Sequence, residues 1–112
     1  MSLGKSLIHL KKENVEFLRL FFREYTYKVE TVLFYRDQVP QMAYLLTSGL
    51  VQLKKNRNII NPPINSLIGI KELFSKDPSS YQASIMTPGT KVIGIDLFTC
   101  LLYTSYAADE EE

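Results

Sequence analysis

The chain has 112 residues, of which 46% are hydrophobic, and its formal net charge is +1. This length suits one domain, residues 1–112, that buries roughly two-thirds of its unfolded surface, and the hydrophobic content excludes a disordered chain. The small net charge provides no bulk attraction to nucleic acid or to anionic lipid. A single cysteine, Cys100, excludes an intrachain disulfide, and a single histidine, His9, argues against a histidine-based metal site. We therefore expect no metal and no cofactor.

Membrane attachment is not expected either. No apolar run approaches the roughly 18 residues of a membrane span, and Ser6–Leu10 is too short for the apolar core of a signal peptide. The basic residues of Lys54–Arg57 are expected to lie on a solvated surface. These features together predict a cytoplasmic protein.

The first predicted element is a helix over Asn14–Arg23. Apolar residues recur there three and four positions apart, which places them on one face of a helix. They are Val15, Leu18 and Phe22, and Phe17 and Phe21 widen the face. We expect this aromatic stripe to pack against the body of the domain. Docking of the helix on a partner protein is the alternative.

From Glu24 onward the apolar pattern changes to a period of two, which is typical of β-strands. Turn residues divide the region Glu24–Asp96 into about eight short strands. The clearest runs are Tyr25–Lys28, Val32–Tyr35, Met42–Leu46, Leu50–Leu53, Tyr81–Met86 and Lys91–Asp96. The best hairpin signal lies at Thr47-Ser48-Gly49, because Gly49 can adopt the positive φ that such turns require.

Two helical segments are predicted in the second half of the chain. Lys71–Phe74 is expected to form a single helical turn, and a last helix begins near Leu97 with Asp96 as its N-cap. We expect the apolar face of this last helix to consist of Phe98, Leu101 and Leu102. The acidic tail Asp109–Glu112 opposes the helix dipole, so this end is expected to fray.

The order helix, about eight strands, helix predicts a mainly β sandwich or barrel. Three stretches carry a more specific likeness: Met42–Leu53, Leu67–Phe74 and Val92–Leu102. They resemble the tyrosine-containing hairpin, the start of the phosphate-binding cassette, and the last strand and helix of the cyclic nucleotide-binding domain family. The resemblance covers Asn14 to Leu102. It implies an eight-stranded β-roll, also called a double-stranded β-helix or jelly roll, with flanking N- and C-terminal helices.

The resemblance also implies a ligand site, a degenerate phosphate-binding cassette. Its residues here are Gly69, Ile70, Lys71, Tyr81, Gln82 and Ala83. Ile70 stands where the family has the glutamate that accepts a hydrogen bond from the ribose hydroxyl. Tyr81 stands at or near the arginine that pairs with the cyclic phosphate, if the preceding loop is one or two residues longer than usual. Gly69 and Ala83 are the positions that match.

The remaining departures concern backbone and charge. Glu30 and Asp37 occupy positions where the family usually has glycine. Losing the cassette arginine removes a hydrogen bond to a charged group, which contributes roughly 1.5–3 kcal/mol, or about tenfold or more in affinity. Lys71 or Lys76 could supply a replacement cation, although both are expected to be solvated lysines.

We therefore expect a regulatory or sensory cyclic nucleotide-binding-like domain with weak or lost binding of cAMP and cGMP. A cyclic nucleotide or another small anion is the candidate ligand. The alternative function is a protein-interaction or dimerisation scaffold on the same roll. An enzyme of the cupin type is not expected, because cupins hold metal with several histidines. We expect no nucleic-acid binding by this chain alone, since no winged helix-turn-helix follows the last helix.

The C-terminal helix is the candidate homodimer interface. Leu97–Tyr106 has more apolar side chains than one helix face needs, and such a surplus is typical of an interface. These side chains are Phe98, Leu101, Leu102, Tyr103 and Tyr106. Family members often pair through this helix. Burial of both faces within one subunit is the alternative.

Overall fold

The computed structural model describes residues 7–104, except for the side chains of residues 103 and 104. Within this range the chain forms nine strands and three helices. The strands are β1 Leu7–His9, β2 Glu24–Tyr27, β3 Val32–Phe34, β4 Ala43–Ser48, β5 Val51–Lys55, β6 Asn58–Ile60, β7 Ser66–Ile68, β8 Gln82–Ile85 and β9 Thr90–Ile95. The helices are α1 Lys12–Phe21, α2 Ile70–Ser75 and α3 Leu97–Thr104. None of these helices is long and apolar enough to cross a membrane.

The strands form two antiparallel sheets. The larger has the order β1-β7-β4-β9-β2, and the smaller has the order β3-β8-β5-β6. Consecutive strands often lie in different sheets, as in a roll, and buried apolar side chains fill the space between them. This arrangement confirms the predicted mainly β roll with a helix before it and a helix after it.

The edge strand β1 is absent from the sequence-based prediction. It pairs with β7, so that Leu7 lies opposite Ile68 and His9 lies opposite Ser66. A strand of three residues is too short to show a period of two, and its partner lies far along the chain. Local sequence pattern therefore contains little information about this strand.

Side chains alternate across the larger sheet, because successive strand residues point to opposite faces. The face toward the helices carries the helix-side cluster. Its buried members are Leu10, Val15, Leu18, Ala43, Leu45, Leu67, Ile70, Leu73, Ile93, Ile95 and Cys100. The opposite face carries the inter-sheet cluster. Its buried members are Phe34, Leu46, Val51, Leu53, Ile68, Tyr81, Ala83, Ile85 and Val92.

Helix α1 buries a narrower stripe than its sequence predicts. Val15 and Leu18 are buried, and Phe22 packs against the same cluster. Phe17 and Phe21 instead stack against each other at a centroid distance of 4.7 Å and are 42% and 67% exposed. The expectation that the whole aromatic stripe packs inward is therefore wrong for these two residues, because one helix buries only a limited arc of its surface.

Helix α3 is capped as predicted, but its apolar face is not the predicted one. The carboxylate of Asp96 accepts a hydrogen bond from the Thr99 N–H at 2.8 Å. Cys100 and Thr99 are the buried residues, whereas Phe98, Leu101 and Leu102 are exposed. The three leucine and phenylalanine side chains thus point away from the subunit core. Tyr106 and the tail Asp109–Glu112 lie outside the described residues, as does the side chain of Tyr103.

Backbone conformation at two turns explains a departure from the family pattern. Glu30 and Asp37, which replace family glycines, both have φ of 71°. Side chains rarely adopt this left-handed region, whereas glycine does so at little cost. The roll therefore keeps the glycine-type backbone at both positions although neither residue is glycine. Gly49 has φ of 92°, which confirms the predicted hairpin turn.

Candidate ligand site

The cassette begins where β7 delivers the chain to Gly69. This glycine has φ of 85° and precedes α2, and its carbonyl accepts a hydrogen bond from the Leu73 N–H at 3.0 Å. A Cβ at Gly69 would lie 3.2 Å from Cε2 of Phe34. Glycine is thus needed here both for its backbone conformation and for the close approach of an aromatic ring.

Ile70, the position of the family glutamate, faces away from the space between the sheets. It is fully buried in the helix-side cluster, together with Leu73 of the same helix. Its location follows from its position at the start of α2, which turns its side chain toward the other helices. Ile70 is therefore a core residue of the helix layer in this structure.

Tyr81, the position of the family arginine, is a fully buried side chain of the inter-sheet cluster. Its ring packs edge-on against Phe34, with a centroid distance of 5.4 Å and an interplanar angle of 60°. Its hydroxyl donates to Oε1 of Glu72 at 3.4 Å. Its backbone is also fixed, because its N–H donates to Oγ of Ser79 at 3.2 Å and its carbonyl accepts from the same hydroxyl at 2.7 Å.

Glu72 is the polar residue of this region that the sequence analysis missed. It lies in the first turn of α2, and its side chain is only 7% exposed. A buried carboxylate is unusual unless it is hydrogen-bonded, and here Tyr81 provides a donor. The available signal was its spacing, three residues after Gly69 within the cassette.

Ala83 and Gln82 alternate on β8 and so face opposite sides. Ala83 is buried between the sheets, where it pairs with Phe34 of β3. Gln82 is half-buried, and its amide nitrogen donates to Oγ of Ser84 at 3.0 Å. Three predicted site residues, Gly69, Tyr81 and Ala83, therefore surround the ring of Phe34. Gln82 and Ile70 lie elsewhere.

The two lysines proposed as replacement cations lie at the surface side of α2. Lys71 lines a shallow pocket of about 190 Å³, whose other residues are Glu72, Ser75, Asp77, Pro78 and Ser80. Lys76 is exposed and ends α2 in a left-handed conformation with φ of 59°. Asp77 in this pocket offsets the positive charge of Lys71. Within residues 7–104, no three His, Cys, Asp or Glu side chains come together in a metal-binding arrangement.

Comparison with known proteins gives matches at the level of structure. No protein-family model matches the sequence, and no curated protein matches it. One similar structure comes from work on a cyclic-GMP-dependent signalling pathway that regulates bacterial phytopathogenesis. The two share 16% identity and a TM-score of 0.72, over 84% of this chain and 78% of the other.

Two further similar structures come from longer proteins. The catabolite activator protein of Thermus thermophilus shares 21% identity and a TM-score of 0.64, over 83% of this chain and 46% of the other. The regulatory subunit of a cAMP-independent protein kinase A from Trypanosoma cruzi, bound to guanosine, shares 16% identity and a TM-score of 0.71, over 90% of this chain and 36% of the other. This chain thus spans less than half of either protein. The chain has the fold of the cyclic nucleotide-binding domain.

Proposed function

We propose that this chain is a regulatory domain of the cyclic nucleotide-binding type whose cassette does not bind cAMP or cGMP with micromolar affinity. The fold supports the regulatory assignment, because the similar structures include regulatory proteins. The observation that carries the second part is the complete burial of Tyr81 at the position that the resemblance gives to the phosphate-binding arginine. In this proposal the domain acts in the cytoplasm and is not an enzyme.

The chemistry of Tyr81 and Glu72 disfavours a cyclic phosphate. A tyrosine hydroxyl is a neutral donor, and here it is directed at a carboxylate of the protein. Arginine would instead provide a charge-assisted and often bidentate contact to phosphate. A phosphate entering beside Glu72 would also meet a like charge in a poorly solvated place, which is unfavourable.

The packing between the sheets disfavours the rest of the nucleotide. Phe34, Tyr81 and Ile68 are fully or almost fully buried there, and Phe34 also packs near Tyr44 at a centroid distance of 6.2 Å. A ligand that entered this space would have to displace well-packed side chains. Forcing extra volume into such a core typically costs about 1–3 kcal/mol.

Calorimetric titration with cAMP and cGMP tests this proposal. We expect no binding heat at micromolar ligand concentrations, and a dissociation constant in the micromolar range or tighter would refute the proposal. In that case the variants Lys71→Ala and Lys76→Ala would show which lysine holds the phosphate. Thermal melting with phosphate and sulfate tests other small anions, because a ligand that binds only the folded protein raises the midpoint.

A scaffold for dimerisation or docking is the second candidate function. The observation that favours it is the outward orientation of Phe98, Leu101 and Leu102 on α3. We propose that this surface forms a homodimer interface, as the resemblance implies for the helix after the roll. Light scattering of the wild-type chain is expected to give the mass of a dimer at high concentration, and a monomer at every concentration would exclude it. Leu102→Lys should release monomers, whereas Leu20→Lys, at an exposed site on α1, should not.

A further inference from the structure

A second concavity lies on the larger sheet, apart from the cassette residues. Its volume is about 430 Å³, which lies within the range of small-molecule sites. Strands β2, β4 and β9 and the segment before β2 contribute its walls. The lining residues are Phe22, Arg23, Tyr25, Tyr27, Met42, Tyr44 and Gly94. We call this concavity the tyrosine pocket.

The register of the sheet explains why three tyrosines meet in this pocket. Tyr44 of β4 lies opposite Gly94 of β9, and Tyr25 of β2 lies opposite Val92 of β9. Residues opposite each other in an antiparallel pair point to the same face, and so do residues two positions apart in one strand. Tyr25, Tyr27 and Tyr44 therefore project from the face of the larger sheet that carries the inter-sheet cluster.

Gly94 keeps the pocket open. It has no side chain, and Met42 lies across its backbone so closely that a Cβ would collide with Sδ of Met42. A larger residue at this position would push Met42 toward the space that the tyrosines surround. A glycine within a central strand weakens the strand, and its presence often marks a close approach of a ligand or another group.

The pocket has a net positive charge. Arg23 is the single charged residue among those that line it, and its guanidinium lies 5.4 Å from the centroid of the Tyr25 ring. In the described part of the chain Arg23 forms no ion pair. The neighbouring carboxylate, Glu24, is already paired with Arg19 at 3.5 Å and accepts a hydrogen bond from Thr47.

The tyrosine hydroxyls add neutral donors beside this cation. Among residues 7–104, no protein group accepts a hydrogen bond from the hydroxyl of Tyr25, Tyr27 or Tyr44. Burial, and to a smaller degree the neighbouring Tyr27, raises the pKa of Tyr44 above its ordinary value. The Tyr44 hydroxyl thus keeps its proton at neutral pH and stays available as a donor.

We propose that the tyrosine pocket binds a small planar aromatic anion. The rings of Tyr25, Tyr27 and Tyr44 offer faces and edges for a flat ring, and Arg23 offers the charge that an anionic substituent needs. Apolar contact comes from Met42, whose flexible thioether adapts to flat ligands and aromatic edges. This site uses none of the six cassette residues, so it does not depend on the function proposed above.

Nuclear magnetic resonance titration of the ¹⁵N-labelled protein with 2-naphthoate tests this inference. We expect the amide signals of Tyr44 and Gly94 to shift, while those of Gly69 and Ala83 do not. The neutral alcohol 2-naphthalenemethanol should bind more weakly than 2-naphthoate. The absence of any shift at Tyr44 and Gly94 with millimolar 2-naphthoate would overturn the proposal, provided that AMP gives none either.

Titration with AMP distinguishes two sources of the same chemistry. Binding of 2-naphthoate alone assigns the pocket to free aromatic acids, whereas binding of AMP at Tyr44 and Gly94 assigns it to nucleotides. Failure of cAMP to bind at the cassette would leave both outcomes unaffected, because the shifted signals belong to different residues.

Two arginine variants provide the matched comparison. Arg23→Gln should raise the dissociation constant of 2-naphthoate about tenfold, as expected for the loss of a charge-assisted hydrogen bond. Arg19→Gln removes a nearby arginine that is paired with Glu24 and should leave the constant unchanged. Equal affinities of the two variants would refute the role of Arg23. Thermal melting of both variants shows that each is folded.

Discussion

The hydroxyl of Tyr81 lies 3.4 Å from Oε1 of Glu72, and both side chains are almost inaccessible to solvent. A carboxylate and a phenol thus meet at the place where the related fold is expected to hold a phosphate and an arginine. The acidic member of the pair comes from α2 and the phenolic member from the residue before β8. The contact therefore links the helix of the cassette to the smaller sheet.

The variant Tyr81→Phe tests the energy of this contact. It retains the ring that packs against Phe34 but removes a donor to a buried carboxylate. Leaving such a group short of a partner costs about 1–3 kcal/mol, and we expect the free energy of unfolding in urea to fall by that amount. Tyr35→Phe is the control, because Tyr35 is 58% exposed. Equal stability of the two variants would show that the hydroxyl of Tyr81 contributes little.

Glycine at the two left-handed turn positions is expected to stabilise the roll. Glu30→Gly and Asp37→Gly remove the steric cost of φ near 71°, which is about 1–2 kcal/mol for an L-residue. Part of this gain is lost to the greater entropy of glycine in the unfolded chain, so each variant should gain about 0.5–1 kcal/mol in urea unfolding.

Asn65→Gly is the comparison for these turn variants. Asn65 also has positive φ, at 74°, but asparagine tolerates this region better than glutamate does. Its gain should therefore be smaller. A loss of stability in both Glu30→Gly and Asp37→Gly would contradict the argument from backbone strain.

Two glycine-to-alanine variants separate strain from collision. At Gly49 a Cβ would lie 2.6 Å from the backbone Cα of Thr90, whereas at Gly89 it would meet no atom within 4 Å. Both glycines have positive φ, so both variants carry the strain. Gly49→Ala should therefore lose at least about 1 kcal/mol more than Gly89→Ala, since overpacking adds about 1–3 kcal/mol. Similar thermal midpoints for the two variants would contradict this expectation.

Cys100 is expected to make the protein less stable in alkali. Burial, together with the nearby Asp96, raises the pKa of its thiol from 9.0 to about 12. Above pH 9 the unfolded chain loses this proton while the folded chain keeps it. The free energy of unfolding should therefore fall as the pH rises from 9 toward 12, by up to about 1.4 kcal/mol per pH unit.

Urea unfolding of wild type and Cys100→Ala at several pH values checks this contribution. The difference between the two proteins should shrink as the pH rises, because only the wild type contains the thiol. A difference that is constant from pH 8 to pH 10 would contradict the raised pKa. In addition, the folded wild type should react slowly with thiol reagents at pH 8 and quickly once unfolded, since the thiolate is the reactive form.

Elements with a local signal could be predicted from the sequence. The hairpin at Gly49 and the cap at Asp96 depend on one or two residues and their neighbours, and both are observed. The first helix was predicted at Asn14–Arg23 and runs from Lys12 to Phe21, a shift of the size expected for helix ends. The two-residue period of β4 and β9 also follows directly from the sequence.

Properties that depend on tertiary contacts could not be predicted. The pattern around Phe34 indicates a strand, but only the assembled roll shows that its ring contacts Gly69 and Tyr81. Likewise, Ile70 was expected at the ligand site, yet the direction in which α2 starts turns it into the helix layer. Burial of Glu72 depends on the same helix and has no signal in hydrophobic periodicity.

The short strand β1 also determines how the chain can be trimmed. It covers the outer edge of β7, all three residues of which have buried side chains, and Leu10 adds a hydrogen bond to the Asn65 carbonyl at 2.9 Å. A version that starts after Lys11 would leave this edge with unpaired backbone groups and an apolar surface. Such an edge is a template on which strands of other molecules can add. An N-terminal truncation made for crystallisation would therefore favour aggregation, and purification tags are better placed before Leu7 than in its stead.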